Sequence, residues 1–158
     1  MSLETLNDVK INDLLTCLKR VDNPSAKEKQ IDKDLRKDYR VSSLDKTHEF
    51  ILFTRQNTLI PESFTAGLRW KSKTGEEIIL MRCNGSDHIH GNKIEKTMFG
   101  PVCHIHSATE RYILAGEKVE SFAEETATYE TLEGALNHLV KLTNITGIVT
   151  NPDHPKLL

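Results

Sequence analysis

Residues 24–40, "PSAKEKQIDKDLRKDYR", decide how the first part of the chain is read. Ile31, Leu35 and Tyr39 recur every four residues, a helical spacing, and the positions between them are mostly Lys, Asp, Gln and Arg. Pro24 stops whatever precedes it, and Ser25-Ala-Lys-Glu28 has the form of a capping box. Upstream, Ile11, Leu14, Leu15 and Leu18 fall at i, i+3, i+4 and i+7 on one helical face. Together the two segments predict an N-terminal helical hairpin over residues of about 3–39.

The character changes after Tyr39. "THEFILFTR" reads as a strand, with Phe50, Ile51, Leu52 and Phe53 buried. "TAGLRWK" and "EEIILMRC" flank a Gly-containing turn and read as a β-hairpin, with Trp70 a core or rim residue. Asn84-Gly85 and Gly91-Asn92 read as turns, and "VCHIH" as a short strand. Ser107-Ala-Thr-Glu110 has capping-box form, so a helical turn follows and Gly116 ends it. "TLEGALNHLVKL" carries Leu132, Ala135, Leu136, Leu139 and Val140 on one stripe, a helix packed on the sheet. Gly134 within it suggests a close helix–sheet approach. The expected fold class is α+β: the helical hairpin, an antiparallel sheet of about four or five strands, and a C-terminal helix. One domain is expected over 1–158, with sheet and C-terminal helix at about 45–146 and a loose tail at 147–158.

Bulk properties exclude several classes. The net charge of −2 gives no general affinity for polyanions, so nucleic-acid binding needs a local basic patch. No apolar run approaches the ~20 residues of a membrane span, and the first residues lack signal-peptide character. A soluble, cytoplasmic protein without membrane contact is expected. Three cysteines at wide spacing, Cys17, Cys83 and Cys103, give no disulfide framework.

The chemistry concentrates in residues 87–112, "DHIHGNKIEKTMFGPVCHIHSATERY", which hold four of the seven histidines. Alternation puts His104 and His106 on one face of a strand, with Cys103 and Ile105 facing the core. His88 and His90 share a face if their segment is extended. Four imidazoles, His88, His90, His104 and His106, are therefore the candidate ligands for a divalent, zinc-like metal, with Asp87 as ligand or support. Without a metal, His104 and His106 are candidates for acid–base work on a phosphodiester, with Glu110 and Arg111 beside them. Lys93, Lys96 and Arg111, with the helix start after Ser107, would then supply charge to an anion. A structural role for the histidines, on a solvated strand face, stands beside both.

Two further runs bear on partners. Lys27, Lys29, Lys33, Arg36, Lys37 and Arg40 are candidates for nucleic-acid contact, although Glu28, Asp32, Asp34 and Asp38 interleave with them and favour a solvated, ion-paired face. "ESFAEETATYETLE" with Glu117 just before it is acidic, and reads as a solvated loop or a surface for a basic partner.

At one point the sequence resembles the HNH nucleases: "DHIHGN" is similar to their Asp-His opening and "CHIHSATE" to their closing Cys-His. The resemblance implies His88 as general base, with His104 and Asp87 as metal ligands. The intervening loop is short, Asn92 lies early for the family's central Asn, and no Cys-x2-Cys pair is present. Over about 70 residues the chain also resembles small uncharacterised prokaryotic and prophage-type proteins. The shared pattern is Asn84-Gly85, Gly91-Asn92, His104-Ile-His106 and a helix ending in Asn144-Ile145. That resemblance implies a fold and no activity. The function expected from the sequence is a small interaction protein, of mobile-element or defence type, that binds a protein or nucleic-acid partner. The alternative is a histidine-based, nuclease-like phosphodiesterase using the His104/His106 face, with or without a divalent metal.

Overall fold

A computed structural model describes residues 6–148 of the 158-residue chain. The expected residues 3–5 and most of the tail fall outside that range.

Residues 24–40 do not form a helix. Lys29–Ile31 (β2) and Asp34–Ser43 (β3) are antiparallel strands joined at Asp32-Lys33, with Asp32 at a φ of 55°. The helical hairpin is therefore corrected to one helix, Asp8–Thr16 (α1), followed by a short strand, Lys19–Val21 (β1), and then β2 and β3. The reason lies in the spacing. A repeat of four is a multiple of two, so Leu35 and Tyr39 share a strand face as well as a helix face. Val41 extends that face by two more residues and is buried with Tyr39. Helix α1 has Asn7 as its N-cap, accepting from the Lys10 N–H, and buries Ile11 and Leu14. It ends before Leu18, which stands exposed.

The expected sheet of four or five strands is likewise corrected. Nine strands form one mixed sheet, and two more form a separate hairpin. The middle strands lie where alternation placed them: Glu49–Asn57 (β4), Phe64–Lys71 (β5) and Glu77–Asn84 (β6). The hairpin pairs His90–Asn92 (β7) with Thr97–Phe99 (β8), so Gly91-Asn92 is strand and not turn. His104–Ser107 (β9) pairs with β6 and with Phe122–Glu125 (β10). Ile145–Thr146 (β11) pairs parallel to β1. The sheet order is β10-β9-β6-β5-β4-β3-β1-β11, with β2 beside β3.

One sheet face is dry. Leu132–Leu142 (α3) packs across β4, β5 and β6, capped by Thr131. Leu52, Leu68, Leu80, Ala135 and Leu139 are fully buried there, within one cluster that also takes in Ile11 and Leu14 of α1. Each buried leucine contributes roughly 1.5–3 kcal/mol. Gly134 abuts Tyr129 of the approach to α3, not the sheet: a Cβ there would meet Tyr129 Cβ at 3.1 Å. At the edge of this core Lys19 is fully buried. Its ammonium donates to the carbonyls of Leu15 and Cys17 at the end of α1 and of Thr143 at the end of α3.

The other face is polar. Register places Asp38, Phe53, Gly67, Arg82 and His106 in one row across β3, β4, β5, β6 and β9. Gly67 is needed because the Phe53 ring lies on it; a Cβ would fall 2.2 Å from Phe53 Cζ. Arg55 and Arg69 each place a guanidinium 5.2 Å from that ring. Among the described residues no helix is long and apolar enough to cross a membrane.

Candidate metal centre

β9 carries His104 and His106 on the polar face, as alternation predicts, while Cys103 and Ile105 belong to the core cluster. The histidines are not displayed to solvent. The β7–β8 hairpin folds over them, and both are buried. The hairpin is held by Asn92, whose side chain bonds both the N–H and the C=O of Ala123 in β10. It thereby occupies the outer edge of β10, which another strand would otherwise claim.

That clamp fixes the chemistry of His90. Ala123 N–H is only a donor, so the atom it meets is the Asn92 amide oxygen, at 2.9 Å. The same oxygen lies 3.0 Å from His90 Nε2, which must therefore carry the proton. His90 Nδ1 is left with a free lone pair. His104 Nδ1 lies 2.9 Å from the Val102 carbonyl and His106 Nδ1 lies 3.0 Å from the Glu120 carbonyl. A carbonyl only accepts, so both Nδ1 atoms are protonated and both Nε2 atoms carry lone pairs. His104 Nε2 is buried with no hydrogen-bond partner among the described residues.

Three imidazoles thus converge with their tautomers set by neighbours, the arrangement seen around metal-ligating histidines. Ligand nitrogens of His90, His104 and His106 lie within 4.8 Å of one another. The His90 and His104 rings stack at 5.6 Å, and each is close to His106, at 4.8 and 5.0 Å between centroids. Phe99 of β8 walls the group, 5.4 Å from His90 and 5.5 Å from His104. A tetrahedral zinc site with bonds of about 2.0–2.1 Å needs about 3.3 Å between nitrogens, so a bound ion would have to draw the widest pair in by about 1.5 Å. Burial, then the nearby Arg82 guanidinium and the other imidazoles, pull the pKa of His106 down to about 3. Burial also lowers that of His104. Both rings stay neutral, the form that binds metals.

His88 is near but apart. Its ring meets His104 edge-on at 4.8 Å, while its Nδ1 lies 2.8 Å from Asp87 Oδ1. Asp87 is thus engaged with His88 and does not join the triad. Burial opposes ionisation of Asp87, but hydrogen bonds from His88 and Ser63 hold its carboxyl below the usual range. Next to this dyad lies a cleft of about 280 Å³ lined by Arg55, Thr65, Arg82, Asn84, Asp87 and His88, among others.

The remaining predicted site residues serve the fold. Thr109, not Ser107, caps the short helix Glu110–Leu114 (α2), while Ser107 belongs to β9. Glu110 Oε1 accepts from Asp8 N–H and Glu110 N–H donates to Asp8 Oδ1, joining the starts of α2 and α1. Arg111 Nε donates to Glu95 Oε2, and Tyr112 Oη donates to Glu95 Oε1, pinning the β7–β8 turn. A five-residue helix offers no anion site, and Lys93 pairs with Glu117 instead. The acidic run is not simply solvated either: Glu120 is buried at 3.1 Å from Arg82, and Phe122–Glu125 is strand β10.

Sequence reasoning missed Asn92 as the group that orients His90. The signal was its place two residues on, on the same strand face. Comparison with known protein families, curated proteins and solved structures finds no match.

Proposed function

We propose that this chain binds one divalent transition-metal ion through His90, His104 and His106 and acts as a metal-dependent hydrolase. The observation that carries the reading is the convergence of three imidazoles, His104 and His106 buried and His90 half-buried, whose tautomers leave a lone pair free on each. Three histidines, with a fourth position left to water, would make a catalytic rather than a structural zinc set. His88, held by Asp87 at the rim of the cleft, is the base that takes the proton of the attacking water. At the phosphorus of a phosphodiester the bond to the leaving oxygen would break as the bond to the water oxygen forms, the leaving oxygen departing as its anion and taking a proton from solvent.

Cobalt(II) titration tests the metal site. The expected result is one equivalent bound, with the visible bands of a four-coordinate ion. His106→Ala should abolish them. His88→Ala should keep them while lowering hydrolysis of bis(p-nitrophenyl) phosphate by about 10²–10⁴-fold. Failure of the wild-type protein to bind one equivalent at pH 8 would overturn the reading.

A further inference from the structure

The polar face holds a second row beside the one that contains His106. Strand register aligns Lys29, Arg36, Arg55, Thr65, Asn84 and His104 across β2, β3, β4, β5, β6 and β9. Paired residues in adjacent strands point to the same face. At the usual strand spacing of ~4.8 Å the row runs about 24 Å along the surface. It lies in two clefts that share Arg55. One, about 390 Å³, is lined by Lys27, Lys29, Arg36 and Arg55 among others; the second reaches His88 beside the metal centre.

We propose that this row is a track for the phosphate backbone of single-stranded nucleic acid, delivering a phosphodiester to the metal centre. The proposal rests on the metal reading for where the track ends, but not for the binding itself. Three observations support it. Three cations, Lys29, Arg36 and Arg55, stand in register, and Thr65 and Asn84 continue the row with neutral hydrogen-bonding groups. Arg36 Nε is buried with no partner among the described residues. The carboxylates on these arginines are exposed: Asp38 lies 2.8 Å from Arg55 and Asp34 3.7 Å from Arg36. Such pairs are worth at most about 1 kcal/mol, so a phosphate can displace them. Arg82 is not part of the track, because buried Glu120 holds it.

The direction of the row chooses the ligand class. It crosses the strands over the paired middle of the sheet. An extended peptide is ordinarily captured along a free strand edge, parallel to the strands, whereas this row runs across them and meets an edge only at β2. Phe53 lies beside the row but is buried, so it gives no stacking platform for bases. Recognition is therefore of the backbone and indifferent to base sequence. At a stacked rise of ~3.4 Å per nucleotide the track covers about seven nucleotides.

Fluorescence anisotropy with a labelled 12-nucleotide single-stranded DNA tests this on the full chain, without added metal. Binding should weaken with salt at a log–log slope of about −2, as three cations on a single strand imply. Arg36→Ala and Arg55→Ala should each raise Kd about 5–10-fold. Lys29→Glu, a change at an exposed position that leaves the core intact, should raise it at least as much. His106→Ala should bind the DNA like wild type while losing cobalt, which separates this proposal from the metal reading. Unchanged affinity in the three track variants would overturn the track. So would equal competition by a glutamate oligomer of the same charge or by inorganic phosphate, or loss of DNA binding in His106→Ala.

Discussion

The two faces of the central sheet are built from the same strands and follow opposite rules. On the α3 side, Leu52, Leu68 and Leu80 meet Ala135 and Leu139, and stability comes from burial. On the other side the neighbouring positions carry Arg36, Arg55, Arg82, Asn84, His104 and His106. There the contacts are directional and each group needs a named partner. The lesson is a division of labour by alternation: in each strand the positions that face α3 hold the fold, and the alternate ones are free for chemistry. Substitutions should therefore separate, with dry-face changes costing stability and polar-face changes costing ligands.

The largest expected effect is on the dry face. Leu68 is fully buried between β4 and β6 beneath α3. Leu68→Ala should cost about 2–5 kcal/mol in urea unfolding. The folded fraction should still take one equivalent of cobalt. Loss of metal at full folding would show that the faces are not independent.

Alternation also explains what the sequence revealed. β4, β5 and β6 were readable because aromatic and branched residues alternate between clear turns, and α3 because its stripe is wide. Residues 29–43 were not, because the spacing from Leu35 to Tyr39 suits both periods. β10 and β11 are short, and β11 is only two residues long, too little for any period. Of the centre, alternation placed His104 and His106 on one face. His90 joins them only because Asn92 grips Ala123, 31 residues further along the chain. His88 stands outside because Asp87 holds it. Glu110 and Arg111 were drawn to the site by proximity in sequence, but their partners are Asp8 and Glu95.

Lys19 is the exception on the dry side, a buried cation whose pKa burial pulls down from 10.5 to about 8. Between those values the unfolded chain binds more protons than the folded one. Stability from this group should therefore rise with pH across that window, by up to about 1.4 kcal/mol per unit, and be flat below it. Cys83 and Tyr129, whose thiol and phenol are pushed up by burial, work in the opposite sense at high pH. The difference between wild type and Lys19→Met isolates the lysine. The urea midpoint of the wild type minus that of the variant should rise from pH 7.5 through 9 to 10, whichever of the two is the more stable at pH 7.5. A constant difference would show that the ammonium keeps its ordinary proton affinity through its three carbonyl partners.

Asn92 tests the polar face with the smallest change in stability. Its amide makes two bonds to Ala123, one to Thr97 Oγ1 and one to His90. Asn92→Ala leaves the Ala123 backbone groups and His90 Nε2 without their partner, at a cost of about 1–3 kcal/mol. The effect on metal should be larger in proportion. With the His90 proton no longer fixed on Nε2, the ring has no preferred lone pair toward the centre, and affinity should fall about 10–100-fold. Asn92→Asp separates the two roles. Its carboxylate still accepts from Ala123 N–H and from His90, so the tautomer is kept, but it no longer donates to the Ala123 carbonyl. Cobalt affinity near wild type in Asn92→Asp, with stability lowered, would assign Asn92 the orienting role. Equal loss of affinity in both variants would reduce it to a hairpin tether, and the polar face would then depend on its packing as the dry face does.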